Sequence, residues 1–320
     1  MRIFITGATG AIGKRLVPQL VRAGHTVIAA TRSPGKTGEL MQQGAEPVIV
    51  DVLDKGAVHK VVASARPDVV IHELTALANI TSYRNFDSAF EETNRLRTEG
   101  LDNLISAAHS SGATRFVAQS YAGWPTGGGG ERVKSEIAPL DPAPLKSMIK
   151  SLDAIRHIEQ TVPAIAGLTG IVLRYGHLYG PGTGFSETGA MVKLVRRRAF
   201  PIIGGGHGIW SFLHVDDAAS ATQVAITRGD AGIYNIVDDD PSEVCEWLPA
   251  LAKAAGAPAP YSIPKWLGVL IAGKSVVFQM TSIRGLSNDK ARHTLLWTPR
   301  QTTWREGFNR EFHTSSPTIR

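Results

Sequence analysis

Short apolar runs alternate with longer amphipathic stretches along this 320-residue chain, beginning almost at its first residue. The runs predict strands over residues 3–6, 26–30, 47–50, 69–72, 116–119, 170–174 and 233–237. Between them, apolar positions recur at helical spacing and predict helices over 12–23, 56–65, 87–110, 145–162 and 216–228. A strand, helix, strand order repeated this often specifies a parallel sheet covered on both faces, because parallel neighbours need crossover connections. The expected fold class is therefore α/β, a doubly wound parallel sheet. Residues 126–130, with four consecutive glycines, read as a mobile loop after the fifth strand. After Val237 the pattern turns mainly helical and richer in proline, so a small C-terminal lobe is expected to close over the sheet. The sheet domain would span 1–176, completed by about 208–240, and the lobe 177–207 and 241–320.

The first strand runs directly into Gly7, Gly10 and Gly13, and a helical pattern begins by Ile12. Glycines at this spacing, after a strand and before a helix, form a Rossmann turn. One glycine permits the tight bend, one lets the backbone approach a pyrophosphate, and one lets the helix pack on the strand. The helix N-terminus then offers N–H groups and partial positive charge to the phosphates. The second strand decides between cofactors. A fold selecting NAD usually ends it with a carboxylate for the ribose 2′-hydroxyl, whereas here it ends at Arg32 and Ser33, with Lys36 close behind. Arg32 suits a 2′-phosphate, which points to NADP(H). Asp51 and Val52, after the third strand, could meet the adenine.

These residues resemble the extended or atypical short-chain dehydrogenase/reductase superfamily, in particular its NAD-dependent epimerase/dehydratase group. Besides GATGAIG from Gly7, the resemblance covers Thr93, Asn94 and Asn103 in ETNRLRTEGLDNLI and LRYGHLYGPG from Leu173. It continues through SFLHVDDAA from Ser211, YNIVDDD from Tyr234, and LLWTPR from Leu295 with Trp304 and Gly307 beyond. It implies that Gly7, Thr9, Gly10, Ala11, Ile12 and Gly13 hold the pyrophosphate, and that Asn94 belongs to the cofactor set. It also implies that Leu74, Thr75, Ala76, Gln119 and Ser120 line the ribose and nicotinamide, with Tyr175, Gly176 and Leu178 near the carboxamide.

The chemistry of the resembling family rests on a Tyr and a Lys spaced YxxxK, in which the lysine lowers the phenol pKa. Matching the helix through Glu159 puts Ser151 at the Tyr position and Ile155 at the Lys position. Lys146 and Lys150 lie nearby without a partner Tyr. The proton must then come from elsewhere. Tyr121, Tyr175 and Tyr179 could each supply it; Tyr121, with Ser120 as the catalytic pair at the end of the fifth strand, is the leading candidate, because open parallel sheets build sites beyond their carboxyl ends. A phenol with its ordinary pKa of about 10 would need a nearby cation to act at neutral pH. His72 and His177 are either proton carriers or hydrogen-bonded structural residues. His214, Asp216 and Asp217 read as helix-positioning residues. The function implied is an NADP(H)-dependent oxidoreductase acting on a small carbonyl or alcohol. The alternatives are a nucleotide-sugar epimerase or dehydratase, and a non-catalytic NADP(H)-sensing protein.

Composition narrows the picture further. A single cysteine, Cys245, excludes an intramolecular disulfide and has no metal-ligand spacing around it, so no metal and a reducing, cytoplasmic setting are expected. The net charge of +6 is scattered, with Arg196, Arg197 and Arg198 its only tight run, so nucleic acid is not expected as a partner. That run is either a solvated helix face or a clamp for an anionic group. The apolar stretch 266–280 contains Lys274 and is too short to span a bilayer, so no membrane is expected and a buried or interface helix is. The expected partners are a small-molecule substrate and a second copy of the chain in a homodimer.

Overall fold

The computed structural model describes residues 1–77, 80 and 86–313. One sheet carries β1 (Arg2–Thr6), β2 (Thr26–Thr31), β3 (Glu46–Ile49), β4 (Val69–His72), β5 (Arg115–Tyr121), β6 (Thr169–Tyr175) and β7 (Gly232–Ile236). Every pairing is parallel, and the order across the sheet is β7, β6, β5, β4, β1, β2, β3. The chain builds outward from β1 through β3, then returns to β4 on the other side of β1. That reversal leaves a crevice between the carboxyl ends of β1 and β4, where ligands of open α/β sheets bind.

Both faces of the sheet are covered, which is why its strands read as near-continuous apolar runs. Helices α1 (Gly13–Arg22) and α5 (Val215–Ala225) cover one face, with Leu16, Leu20, Ala218 and Ala221 against Ile3, Ile5 and Ile71. On the other face, α2 (Lys55–Ala65), α3 (Leu101–Ser111) and α4 (Ile149–Thr161) bring Val58, Val62, Leu104 and Ile158 against Phe4, Val70 and Phe116. Strand alternation sorts neighbours such as Ile3 and Phe4 to opposite faces.

The predicted helix over 87–110 is divided. Phe86–Ala89 and Glu91–Arg95 precede α3, and Leu96–Gly100 is a widened turn of π type between them. Such turns recur at functional sites. The loop 126–130 differs from expectation in being tethered. Lys134, buried, donates from Nζ to Thr126 O at 2.6 Å, and Arg284 Nε donates to Gly128 O at 2.9 Å.

A second apolar cluster, built on Trp210, Phe212, Trp247, Trp304 and Phe308, holds together a region drawn mainly from residues 179–312. Its helices are supplemented by short strand pairs, including Ile202–Ile203 with Ser262–Ile263. The apolar stretch 266–280 is two helices, Lys265–Ala272 and Lys274–Thr281, divided at Gly273 with φ of 91°. It is not wholly buried: Trp266 is 69% exposed, and Leu270 and Ile271 are exposed beside it.

Candidate active site

The glycines of the first turn do different work. Gly7 has φ of 80°, and a Cβ there would lie 2.4 Å from the Glu73 carbonyl oxygen; one on Gly13 would lie 2.3 Å from Gly7 O. The fold itself therefore requires both. Gly10 donates its N–H to Gly7 O at 3.0 Å, and an added Cβ would meet only that oxygen, at 3.2 Å. It is the exposed member of the turn, flanked by half-buried Thr9 and Ala11. Helix α1 begins after Ile12 with no side-chain cap, so no capping side chain competes with an anion for that end of the helix.

At the end of β2, Arg32, Ser33 and Lys36 are exposed. Arg32 Nη2 pairs with Glu92 Oε1 at 2.7 Å, and Lys36 Nζ lies 3.6 Å from Glu39. Asp51 folds a local turn by accepting from Leu53 N, while Val52 is buried and its carbonyl accepts from Asn103 Nδ2 at 2.9 Å. Beyond β4, Leu74, Thr75 and Ala76 are half-buried. Gln119 Nε2 donates to Leu74 O, and Ala76 N donates to Thr93 Oγ1.

Tyr175, Gly176 and Leu178 do not form one lining. The Tyr175 hydroxyl turns beneath the sheet, donating to Glu73 Oε1 at 2.7 Å and lying 2.6 Å from Thr222 Oγ1 on α5. Gly176 is pressed against Ser211 O, and Leu178 lies in a short strand, His177–Tyr179, paired with Phe212–His214. Glu73, which sequence reasoning missed, is buried with Oε2 unpartnered. Burial pushes its carboxyl up to about 8. A raised acid favours the folded state when protonated, so that stabilisation is present below about pH 4.5 and is lost as pH rises through about 8. Glu73→Gln, neutral throughout, is expected to flatten the decline of melting temperature over that window. An unchanged slope would show that another group causes it.

At the end of β5, successive residues face different surroundings. Ser120 is buried and donates to Glu159 Oε1 at 3.0 Å, and Glu159 is held by Arg174 through two contacts of 2.6 Å. Tyr121 is half-buried, with its hydroxyl 2.7 Å from His177 Nε2. The His177 ring stacks on Trp210 at 3.8 Å, and burial pushes its imidazole down to about 3. Its Nδ1 faces Ser211 O, which can only accept, at 3.3 Å. The neutral ring therefore carries its proton on Nδ1, and Nε2 accepts from Tyr121. His72 is also buried, with Nε2 on Leu96 O and its pKa lowered by burial.

Ser151, which matching through Glu159 sets at the tyrosine position, has a structural role. Asp87 Oδ1 accepts from both the backbone N and the Oγ of Ser151, at 3.0 and 2.9 Å, and Oδ2 accepts from Lys150 N. The carboxylate thus caps α4, where the helix dipole favours negative charge. Asn94 Nδ2 completes the chain by donating to Ser151 Oγ at 3.1 Å. Ile155 is buried in the second apolar cluster, and the Lys150 side chain is exposed. Arg97, in the widened turn, is 4% exposed and also escaped sequence reasoning. A charged residue in the apolar phase of a helical pattern was the available signal.

Elsewhere, His214 caps α5 by accepting from Asp216 N, and Asp217 accepts from the backbone of Arg300 and Gln301, in keeping with a helix-positioning role. His207, Glu243 and Cys245 come together with ligand atoms within 4.8 Å, a grouping that sequence spacing hides. Arg132 occupies the other Glu243 oxygen at 2.8 Å. No helix among the described residues is long and apolar enough to cross a membrane.

A glycine turn at the head of a doubly wound parallel sheet defines a dinucleotide-binding protein. A model of the NAD dependent epimerase/dehydratase family matches residues 3–237, and the chain belongs to that family. It is 41% identical over 312 residues to a 3-diazoavenalumate denitrifying reductase of a Streptomyces species, covering 97% of this chain and 100% of the relative. It is 27% identical over 263 residues to a 4-hydroxy-2-methyl-3-oxo-4-farnesyl-3,4-dihydroquinoline-1-oxide ketoreductase of Stigmatella aurantiaca, covering 81% and 75%. Among solved structures it resembles the Thermus thermophilus UDP-glucose 4-epimerase in complex with NAD, with TM-score 0.72, 25% identity and 99% and 100% coverage. The chain is accordingly an enzyme of the NAD(P)-dependent oxidoreductase type.

Proposed function

We propose that this protein is an NADP(H)-dependent oxidoreductase that reduces a small carbonyl compound, or oxidises the matching alcohol, with Tyr121 as proton donor in place of a Tyr/Lys dyad. The observation that carries this reading is the half-buried Tyr121 phenol at the carboxyl end of β5, held 2.7 Å from His177 Nε2. Ser151 and Ile155 stand at the dyad positions, one tied to Asp87 and the other buried in apolar surroundings. The dinucleotide, when bound, supplies the hydride that reaches the carbonyl carbon. Tyr121 gives its proton to the carbonyl oxygen, and His177 holds the hydroxyl in place until that oxygen competes for it. Ser120 acts indirectly, fixing the end of β5 through Glu159.

The same reading assigns the pyrophosphate to residues 7–13 and the 2′-phosphate to Arg32, Ser33 and Lys36. Asp51 and Val52 would meet the adenine, and Leu74 to Ala76, Asn94, Gln119, Gly176 and Leu178 would frame the nicotinamide end, with Tyr175 supporting it from beneath. Glu92 must yield Arg32 to the phosphate, a modest cost for an exposed ion pair of about 0–1 kcal/mol. Arg32→Glu is expected to weaken NADPH by roughly 10-fold or more, about 1.4 kcal/mol, with little change for NADH. Equal affinity of the unaltered protein for both nucleotides in a titration would sink the NADP(H) assignment. Consumption of NADPH against a panel of aldehydes, ketones and enones tests the activity itself, and failure of every substrate would leave the carbonyl reading without support.

A second reading is favoured by the relative named a denitrifying reductase, whose whole length aligns with this chain. Replacing the N2+ group of an arenediazonium by hydrogen breaks its C–N bond, releases N2 and forms a C–H bond with the two electrons of a hydride. The departing dinitrogen asks for no side-chain proton, so an absent dyad costs nothing. NADPH-dependent gas release from an arenediazonium, surviving Tyr121→Phe, would select this reading over the first.

A further inference from the structure

Residues 204–207 read Gly-Gly-Gly-His, and the three glycines all stand in the left-handed region, with φ of 57°, 88° and 68° at Gly204, Gly205 and Gly206. The backbone thereby folds round the His207 imidazole: a Cβ on Gly205 would lie 2.6 Å from its Nε2. This loop runs into the short strand Ile209–Trp210, which pairs antiparallel with Ser242–Glu243. Beyond the pair, Val244 N donates to Gly208 O at 3.0 Å and Cys245 N to Gly206 O at 3.1 Å. The backbone ladder therefore brings His207 to Glu243 and Cys245 across a gap of 36 residues in the chain.

Three donor side chains converge there. His207 Nδ1 lies 3.0 Å from Glu243 Oε2, and the Cys245 thiol donates to the same oxygen at 3.5 Å. One ligand atom from each of the three residues lies within 4.8 Å of the others. Ligands of a tetrahedral zinc, each about 2.0–2.3 Å from the ion, stand about 3.3–3.8 Å apart, so small side-chain rotations bring this trio to coordinating distance. Imidazole nitrogen, thiolate and carboxylate oxygen are the donor set of a borderline metal, whereas magnesium and calcium take oxygen.

We propose that His207, Glu243 and Cys245 bind one Zn2+ ion, with water in the fourth position, which the exposed His207 leaves open. On binding, the thiol releases its proton to solvent, and the thiolate and carboxylate balance the two positive charges of the ion. Arg132 keeps Glu243 Oε1 at 2.8 Å and so orients the carboxylate with Oε2 toward the metal. The ion fastens the glycine loop to the start of the helix Val244–Ala254 and steadies the strand whose Trp210 stacks on His177. Its role is structural and does not depend on which residue delivers the proton in catalysis.

The test is cobalt substitution in the full chain after a chelator has removed bound metals. Cys245 is the only cysteine in the sequence, so a thiolate-to-Co2+ charge-transfer band can arise nowhere else. One equivalent of Co2+ is expected to produce that band and Zn2+ to abolish it, because zinc is bound more tightly than cobalt. Calorimetry with Zn2+ alone is expected to show one site per chain. His207→Ala and Cys245→Ser are each expected to weaken it at least roughly 10-fold, the loss that even an outer-shell partner of a metal brings. Melting temperature is expected to rise with Zn2+ in the unaltered protein and to stay level in Cys245→Ser. Absence of the charge-transfer band in the unaltered protein would overturn the proposal, whether or not the variants fold. So would Zn2+ affinity unchanged by Cys245→Ser, which would put the ion on other surface donors.

Discussion

Gly10→Val is expected to abolish dinucleotide binding while leaving the protein folded. The two other glycines of the turn could not serve this experiment. A side chain on Gly7 or Gly13 would strike backbone at 2.4 or 2.3 Å, so loss of binding would be confounded with loss of fold. At Gly10 the backbone is within ordinary dihedral limits and an added Cβ meets one oxygen at 3.2 Å, which a shift of a few tenths of an ångström relieves. The branched side chain then projects into the space where phosphate oxygens approach the α1 N-terminus. Affinity is expected to fall at least roughly 100-fold, about 2.7 kcal/mol. Circular dichroism and melting temperature report the fold, and a calorimetric titration reports binding. Retained affinity would place the phosphates elsewhere.

Tyr121→Phe keeps the ring against its neighbours and removes only the hydroxyl. If the phenol is the general acid, turnover of a carbonyl substrate falls roughly 10²-fold or more, with cofactor affinity unchanged. Loss of the hydroxyl also leaves His177 Nε2 without its donor, which is a stability cost of about 1–3 kcal/mol rather than a catalytic one. Thermal melting separates the two. Normal turnover by this variant, together with inactivity of Ser151→Ala or Lys150→Met, would mean that α4 carries the chemistry after all. The capping bonds from Asp87 to Ser151 argue against that outcome, since that hydroxyl already donates to a carboxylate.

The sheet was legible because its inner strands are apolar on both faces and its crossover helices are amphipathic, so two periodicities alternate, while the edge strand β3 is half exposed. The phosphate turn was legible because glycine has few other reasons to recur at positions 7, 10 and 13 between a strand and a helix. The end of β5 was less so. Spacing along a strand told that Ser120 and Tyr121 stand at its carboxyl end, but their partners, Glu159 and His177, lie 39 and 56 residues further on. Only tertiary packing decides which of the two turns inward. Arg97 was hidden for a related reason: regular helical spacing puts it in phase with buried Leu101, Leu104 and Ala108, but a lone arginine at such a position gave no sign of what it would be buried against. Glu73 gave no local sign that its carboxyl would be sealed against Tyr175 and Thr222.

The exposure of the helix Lys265–Ala272 has a practical consequence. Of six tryptophans, five are no more than 6% exposed, while Trp266 stands 69% exposed. Aqueous iodide should therefore quench one fluorophore and leave the rest untouched. The quenchable fraction of the intrinsic emission becomes a reporter of that one helix, free of label or mutation. Burial of Trp266 under a closing segment, a ligand or a second copy of the chain would show as its loss.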